Sequence, residues 1–173
     1  GERGTIAYAD YNNDGYMDCL MFRNGADPML WKNNGDKTFT NVIEEQEDLL
    51  YAKVFGAAAL WYDYDNDGNL DLIVTGCMTQ GDASTAVLYT YHNNGADENF
   101  YLEEVFELEE DVFISYARES EDHNQIIMFP ADFNNDGYTD VLFCGGYAVG
   151  QESTRTPILW VNDKNGSFTR NNN

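Results

Sequence analysis

The sequence predicts an all-β chain built from three four-stranded antiparallel repeats. Three observations lead to that prediction. A nine-residue acidic segment occurs three times without gaps, as DYNNDGYMD (Asp10 to Asp18), DYDNDGNLD (Asp63 to Asp71) and DFNNDGYTD (Asp132 to Asp140). Each copy sits between two short apolar stretches: TIAYA and CLMF, AAALWY and LIV, IIMFPA and VLFC. Those stretches are rich in β-branched and aromatic residues and are bounded by Asn, Asp and Gly, which marks strands rather than helices.

The elements follow in order. A first strand enters the acidic loop and a second leaves it. A variable connection comes next, short at 23–28 and long at 76–86 and 145–157. The third strand carries an apolar–aromatic pair, Leu30-Trp31, Leu88-Tyr89 and Leu159-Trp160, with Trp31, Tyr89 and Trp160 at one repeat position. A polar Gly turn follows, NNGD at Asn33, NNGA at Asn93 and DKNG at Asp163. An aromatic, Phe39, Phe100 or Phe168, opens the last strand. No stretch has a helical period, and 103–111 reads as a last strand running into a connection. A four-stranded unit recurring at about 40–50 residues describes a β-propeller blade. Residues 1–173 then form one propeller region, with blades at 4–48, 52–112 and 123–171. Closed propellers have typically four to eight blades. Three blades are therefore part of a larger ring, or they close by pairing with a second copy. The chain does not open on Met and lacks a leader's apolar stretch, so it reads as a processed or trimmed segment.

Composition narrows the function. The 173 residues hold 31 Asp plus Glu against 9 Lys plus Arg, a formal net charge of −22. A surface so acidic is unsuited to nucleic-acid phosphates, which require Lys and Arg. Aromatics at 14 % and hydrophobics at 43 % supply a core and argue against disorder. No apolar run reaches the length of about 18 residues that a membrane helix needs.

The acidic loops explain part of the charge. Positions 1, 3, 5 and 9 carry oxygen donors: Asp10, Asn12, Asp14 and Asp18; Asp63, Asp65, Asp67 and Asp71; Asp132, Asn134, Asp136 and Asp140. Position 6 is Gly, and position 7 (Tyr16, Asn69, Tyr138) offers a main-chain carbonyl. Hard oxygens at this spacing suit Ca²⁺, which takes six to eight of them at about 2.3–2.6 Å. The first half of the pattern matches an EF-hand loop. The second half departs from it, because position 12 is Met21, Val74 or Phe143 where an EF-hand needs Glu. Mg²⁺ prefers rigid octahedral geometry, and Zn²⁺ would want Cys or His at the loops. Three calcium sites are expected, with the four-Asp middle loop tightest. Three Ca²⁺ would bring the net charge from −22 to −16.

These residues resemble the FG-GAP and VCBS repeats, the family that includes the propeller of integrin α subunits. The loop pattern D-x-[DN]-x-D-G-x-x-D carries the likeness, and Phe55-Gly56-Ala57-Ala58 matches the Phe-Gly element before the middle loop. The other two repeats lack that element; Gly25-Ala26-Asp27-Pro28 keeps a loose trace of the remainder. The resemblance covers nearly the whole chain. It implies a calcium-stabilised, extracellular or cell-surface module for adhesion or ligand recognition, in a bacterial secreted setting, with the loop residues as metal ligands and nothing catalytic.

A protein or glycan ligand is expected on the face opposite the calcium loops, where the inter-blade connections carry Glu44, Glu45, Glu47 and Asp48 and, later, Glu109 to Asp122. Tyr147 and Gln151 lie in a long connection and suit contacts to a sugar. No nucleophile, phosphate-loop or zinc-protease motif is present, and His92 and His123 form no triad. The chain is read as non-catalytic. The alternatives are an appendage of a secreted carbohydrate-active lyase or hydrolase, and a structural spacer. Of the cysteines, Cys19 and Cys144 read as buried small hydrophobes within strands. A bridge from Cys77 to Cys144 would be geometrically demanding.

Overall fold

A computed structural model describes residues 4–23, 26–50, 54–80, 83–95, 99–107, 127–144 and 157–171. It contains three four-stranded antiparallel sheets, which fit three blades of a propeller whose ring is not closed. The first sheet holds β1 (Gly4–Ala9), β2 (Asp18–Arg23), β3 (Met29–Asn33) and β4 (Phe39–Asn41) in that order. The second holds β5 (Phe55–Tyr62), β6 (Asp71–Gln80), β7 (Ala83–Asn93) and β8 (Phe100–Glu107). The third holds β9 (Ile127–Ala131), β10 (Asp140–Cys144), β11 (Ile158–Asn162) and β12 (Phe168–Asn171). Strand β1 lies against β5, and β5 against β9, so the first strands of successive blades adjoin.

Alternation along each strand gives the sheets two apolar faces, and the middle sheet has both covered by a neighbouring sheet rather than by water. Leu20, Phe22 and Leu30 on the front of the first sheet pack on Leu72, Val74 and Tyr91 on the back of the second. Tyr62, Tyr64 and Ile73 on the front of the second pack on Val141, Phe143 and Trp160 on the back of the third. Aromatic rings fill both seams. Tyr11 lies 5.5 Å from Phe100 in one, and Tyr64 lies 6.4 Å from Phe168 in the equivalent place of the other. A fully buried Leu such as Leu20 or Leu72 contributes about 1.5–3 kcal/mol.

The long connection at 76–86 is largely a hairpin, with Gly76 opposite Val87 and Gln80 opposite Ala83. The other long connection, with Tyr147 and Gln151, lies outside the described residues, as does His123. The pairing register also moves the third-strand aromatic. Trp31 faces Cys19 and Trp160 faces Val141, but Tyr91 rather than Tyr89 faces the matching Leu72. In the third blade the turn is likewise entered at Asn162, the counterpart of Asn33 and Asn93. The connection after β4 is partly helical, with a 3-10 turn (Ile43–Glu45) and α1 (Glu47–Leu50). Both are too short to leave a period in the sequence, and they form because Gln46 and Asp48 engage an edge strand. Gln46 Oε1 accepts the Phe100 N–H at 2.9 Å, and Asp48 Oδ2 accepts the Leu102 N–H at 2.9 Å. That covers polar groups on β8, so Asp48 is a structural acceptor. Cys19 and Cys144 are half-buried rather than buried, because each lies on a sheet face that no blade of this chain covers.

Candidate metal centres

The three acidic loops fold alike because two positions adopt left-handed backbone. Position 4 is Asn in each loop, at φ of 57° (Asn13), 63° (Asn66) and 59° (Asn135). Position 6 is Gly, at 89°, 93° and 88°. Asn tolerates this region better than most residues, and Gly enters it without strain. The chain then curls around the position-1 carboxylate. Asp10 accepts the Asp14 N–H at 3.0 Å and the Gly15 N–H at 2.9 Å. Asp63 and Asp132 repeat both bonds at the same distances. Position 3 accepts the N–H of position 5, and position 5 accepts the N–H of position 7. The side chains at 1, 3 and 5 are thereby fixed from within the loop.

Position 9 does something different. Asp18, Asp71 and Asp140 are buried, and each ties its loop to the sheet. One oxygen accepts the N–H of position 2, from Tyr11, Tyr64 or Phe133. The other accepts the N–H of the last third-strand residue, Asn33, Asn93 or Asn162, at 2.8–2.9 Å. Burial pushes the Asp18 carboxyl up and the Asp71 carboxyl up to about 7, against these N–H bonds, which pull the other way. A carboxylate buried this deeply is favoured by any nearby cation.

The loops differ in how crowding is relieved. In the outer loops the position-3 amide helps: Asn12 Nδ2 donates to Asp14 at 3.0 Å, and Asn134 Nδ2 donates to Asp136 at 3.2 Å. The middle loop has Asp65 there, which has no N–H to give. Asp63, Asp65 and Asp67 bring carboxylate oxygens within 4.8 Å of one another. Burial, with the neighbouring Asp67 and Asp63 charges adding to it, pushes the Asp65 carboxyl up. This all-oxygen set fits a hard cation such as Ca²⁺.

Two side chains at the loops are not foreseeable from the acidic motif. His92 Nδ1 lies 3.2 Å from Asp71 Oδ1 and 3.6 Å from Asp65 Oδ2. Lys164 Nζ lies 3.2 Å from Asp136 Oδ2 and 4.8 Å from the centre of the Tyr138 ring. Each belongs to the Gly-turn region of its blade, which packs against the acidic loop. Gly35 meets the Tyr16 ring and Gly95 meets the Asn69 side chain so closely that a Cβ at either would collide. A shared Asn two residues beyond the third-strand aromatic, Trp31, Tyr91 or Trp160, was the available signal for this contact.

The family profile for the FG-GAP-like repeat matches residues 10–74 and again 63–143. No curated protein matches the chain.

Proposed function

Because the chain belongs to the FG-GAP-like repeat family, we propose that this β-propeller-like module is stabilised by calcium and serves ligand recognition outside the cell, without catalysis of its own. The observation behind the calcium reading is the threefold recurrence of one loop conformation with its carboxylates drawn together, most tightly at Asp63, Asp65 and Asp67. Asp10, Asn12, Asp14 and Asp18, their eight counterparts in the other loops, and the carbonyls of Tyr16, Asn69 and Tyr138 would hold the ions. A cation that binds only the folded form stabilises it by about 2.7 kcal/mol per site at a hundredfold excess over Kd. Ligand recognition would fall on the surface away from the loops, where the acidic connections suit a basic protein or a polyhydroxylated glycan.

Calcium titration of chelator-treated protein, followed by heat of binding and by thermal unfolding, tests the metal reading. Three binding steps and a raised unfolding temperature are expected, with Asp65→Asn weakening the tightest step. No heat and no thermal shift at saturating calcium would overturn it. Screening against glycan and protein libraries, with product analysis alongside, tests the recognition reading: turnover of a glycan would replace it with a catalytic one.

A further inference from the structure

The middle blade departs from the outer two at two places near its acidic loop. Position 3 is Asp65, where the outer loops have Asn12 and Asn134. The residue before the turn asparagine is His92, where the other blades have Lys32 and Val161. The fold brings these two departures together. His92 Nδ1 lies 3.6 Å from Asp65 Oδ2 and 3.2 Å from Asp71 Oδ1. Donor atoms of Asp65, Asp71 and His92 all lie within 4.8 Å of one another.

This cluster is held from the sheet as well as from the loop. Leu72 pairs with Tyr91 across β6 and β7, which sets the flanking Asp71 and His92 side by side. Asp71 is fully buried, and its Oδ1 also accepts the Asn93 N–H at 2.9 Å. Asn93 is itself buried and bonded to the Tyr11 and Leu70 carbonyls, so the backbone next to His92 has little freedom. The Tyr64 ring packs on the imidazole, with ring centroids 6.2 Å apart. The His92 side chain keeps 26 % exposure, which leaves it within reach of an ion from solvent.

An imidazole nitrogen beside two carboxylates differs in kind from the all-oxygen set of Asp63, Asp65 and Asp67. Ca²⁺ takes oxygen ligands, whereas imidazole suits Zn²⁺ and its transition-metal neighbours. The acidic motif by itself holds no such nitrogen, and the strand β7 supplies it. Zn²⁺ bonds of about 2.0–2.2 Å at tetrahedral angles set ligand atoms about 3.3–3.6 Å apart. Both His92 contacts are close to that spacing.

We propose that Asp65, Asp71 and His92 form a transition-metal site that takes Zn²⁺, with the fourth coordination position left to water. The site needs neither Asp63 nor Asp67. It shares Asp65 and Asp71 with the calcium reading of the same loop, so the two ions compete there. It goes beyond that reading and does not require it.

Calorimetric titration of chelator-treated protein with Zn²⁺ alone, and separately with Ca²⁺ alone, tests this. One tight Zn²⁺ step per chain is expected, weakened by added calcium. His92→Gln should weaken that step by at least about tenfold, the lower range for loss of even an outer partner of a metal. The same variant should change calcium affinity by less than about twofold, because a hard cation gains little from nitrogen. Asp65→Asn should weaken both ions. The chain has two histidines, so imidazole nitrogen resonances give a second readout that needs no variant at position 92. One imidazole should shift on adding Zn²⁺, and that shift should persist in His123→Gln. A tightest Zn²⁺ step that survives His92→Gln, or that His123→Gln removes, would overturn the proposal. So would an equal loss for both ions in His92→Gln, which would make His92 a positioning residue of the loop. Zinc binding without calcium binding would leave this proposal standing and overturn the calcium reading, and calcium binding without a zinc step would do the reverse.

Discussion

Asn93 reaches across the boundary between the first two blades and donates its Nδ2 to the Tyr11 main-chain carbonyl at 2.8 Å. The same amide bonds the Leu70 carbonyl at 3.1 Å, and its oxygen accepts the Gly95 N–H at 3.0 Å. The side chain is fully buried and holds an acidic loop, a turn and a seam together. Asn162 repeats the arrangement one blade on, through Tyr64, Thr139 and Lys164. Among the described residues, the Asn33 side chain bonds only within its own blade, to Met17 and Gly35.

Truncation of these three residues should therefore be unequal. Losing buried hydrogen-bond partners costs about 1–3 kcal/mol. Asn93→Ala and Asn162→Ala should fall toward the upper end of that range and Asn33→Ala toward the lower. Urea unfolding at fixed calcium checks the order. Equal losses at all three positions would mean that the seam bond contributes nothing.

Buried hydroxyls give an opposite expectation. Tyr62 and Tyr91 each bury an OH that has no hydrogen-bond partner among the described residues. Burial pushes both phenols far up. Replacing such a group by an apolar one of the same shape is neutral or stabilising. Tyr91→Phe and Tyr62→Phe should leave the unfolding midpoint unchanged or raise it, by up to about 1 kcal/mol. A loss of similar size in thermal unfolding would reveal a partner for the hydroxyl.

Strand order and blade unit were legible because alternation and the three acidic loops recur in phase. The register of the middle blade was not, because Tyr89 and Tyr91 lie two residues apart and only Tyr89 follows an apolar residue, Leu88, as Trp31 and Trp160 do, and a shift of two keeps every side chain on its own face. The loop residues Asp63 to Asp71 could be read from spacing alone. His92 and Lys164 could not, since they reach the loops through a turn whose closeness depends on Gly95 and on the backbone of Lys164. Asp48 looked like a surface charge because its partner, the Leu102 N–H, is 54 residues away.

The Asp71 carboxyl gives a pH dependence with a definite sign. Burial pushes it up to about 7, well above the ordinary Asp value of about 3.9. A carboxyl raised in the folded state holds its proton more tightly there, so it favours folding in acid. That contribution is complete below about pH 4 and is lost as pH climbs through about 7. In chelator, wild-type stability should fall over this interval, and Asp71→Asn should flatten the fall. Bound calcium favours the carboxylate and should reverse the slope. Urea midpoints at several pH values, with and without calcium, check both signs; a slope that Asp71→Asn leaves untouched would assign the fall to other groups.

Lys164 sets apart the third loop. It holds φ at 69°, where the equivalent turn positions of the other blades are Gly35 at 74° and Gly95 at 68°. A non-Gly residue there costs about 1–2 kcal/mol. Its ammonium also occupies Asp136 at 3.2 Å, and the Tyr138 N–H, the Lys164 pairing and Asn134 together hold the Asp136 carboxyl below the usual range. An incoming cation must displace that ammonium, so the third site should be the weakest of the three. Exposed ion pairs are weak, so the effect on affinity should not exceed about fivefold. Lys164→Gly should tighten the weakest calcium-binding step by up to that factor and also relieve the backbone. Lys164→Gln should reproduce the affinity gain without the backbone relief, because it removes the charge and keeps a side chain at positive φ. Calorimetric titration of both variants separates the two effects. An unchanged weakest step in both would mean that Lys164 does not compete with the metal at Asp136.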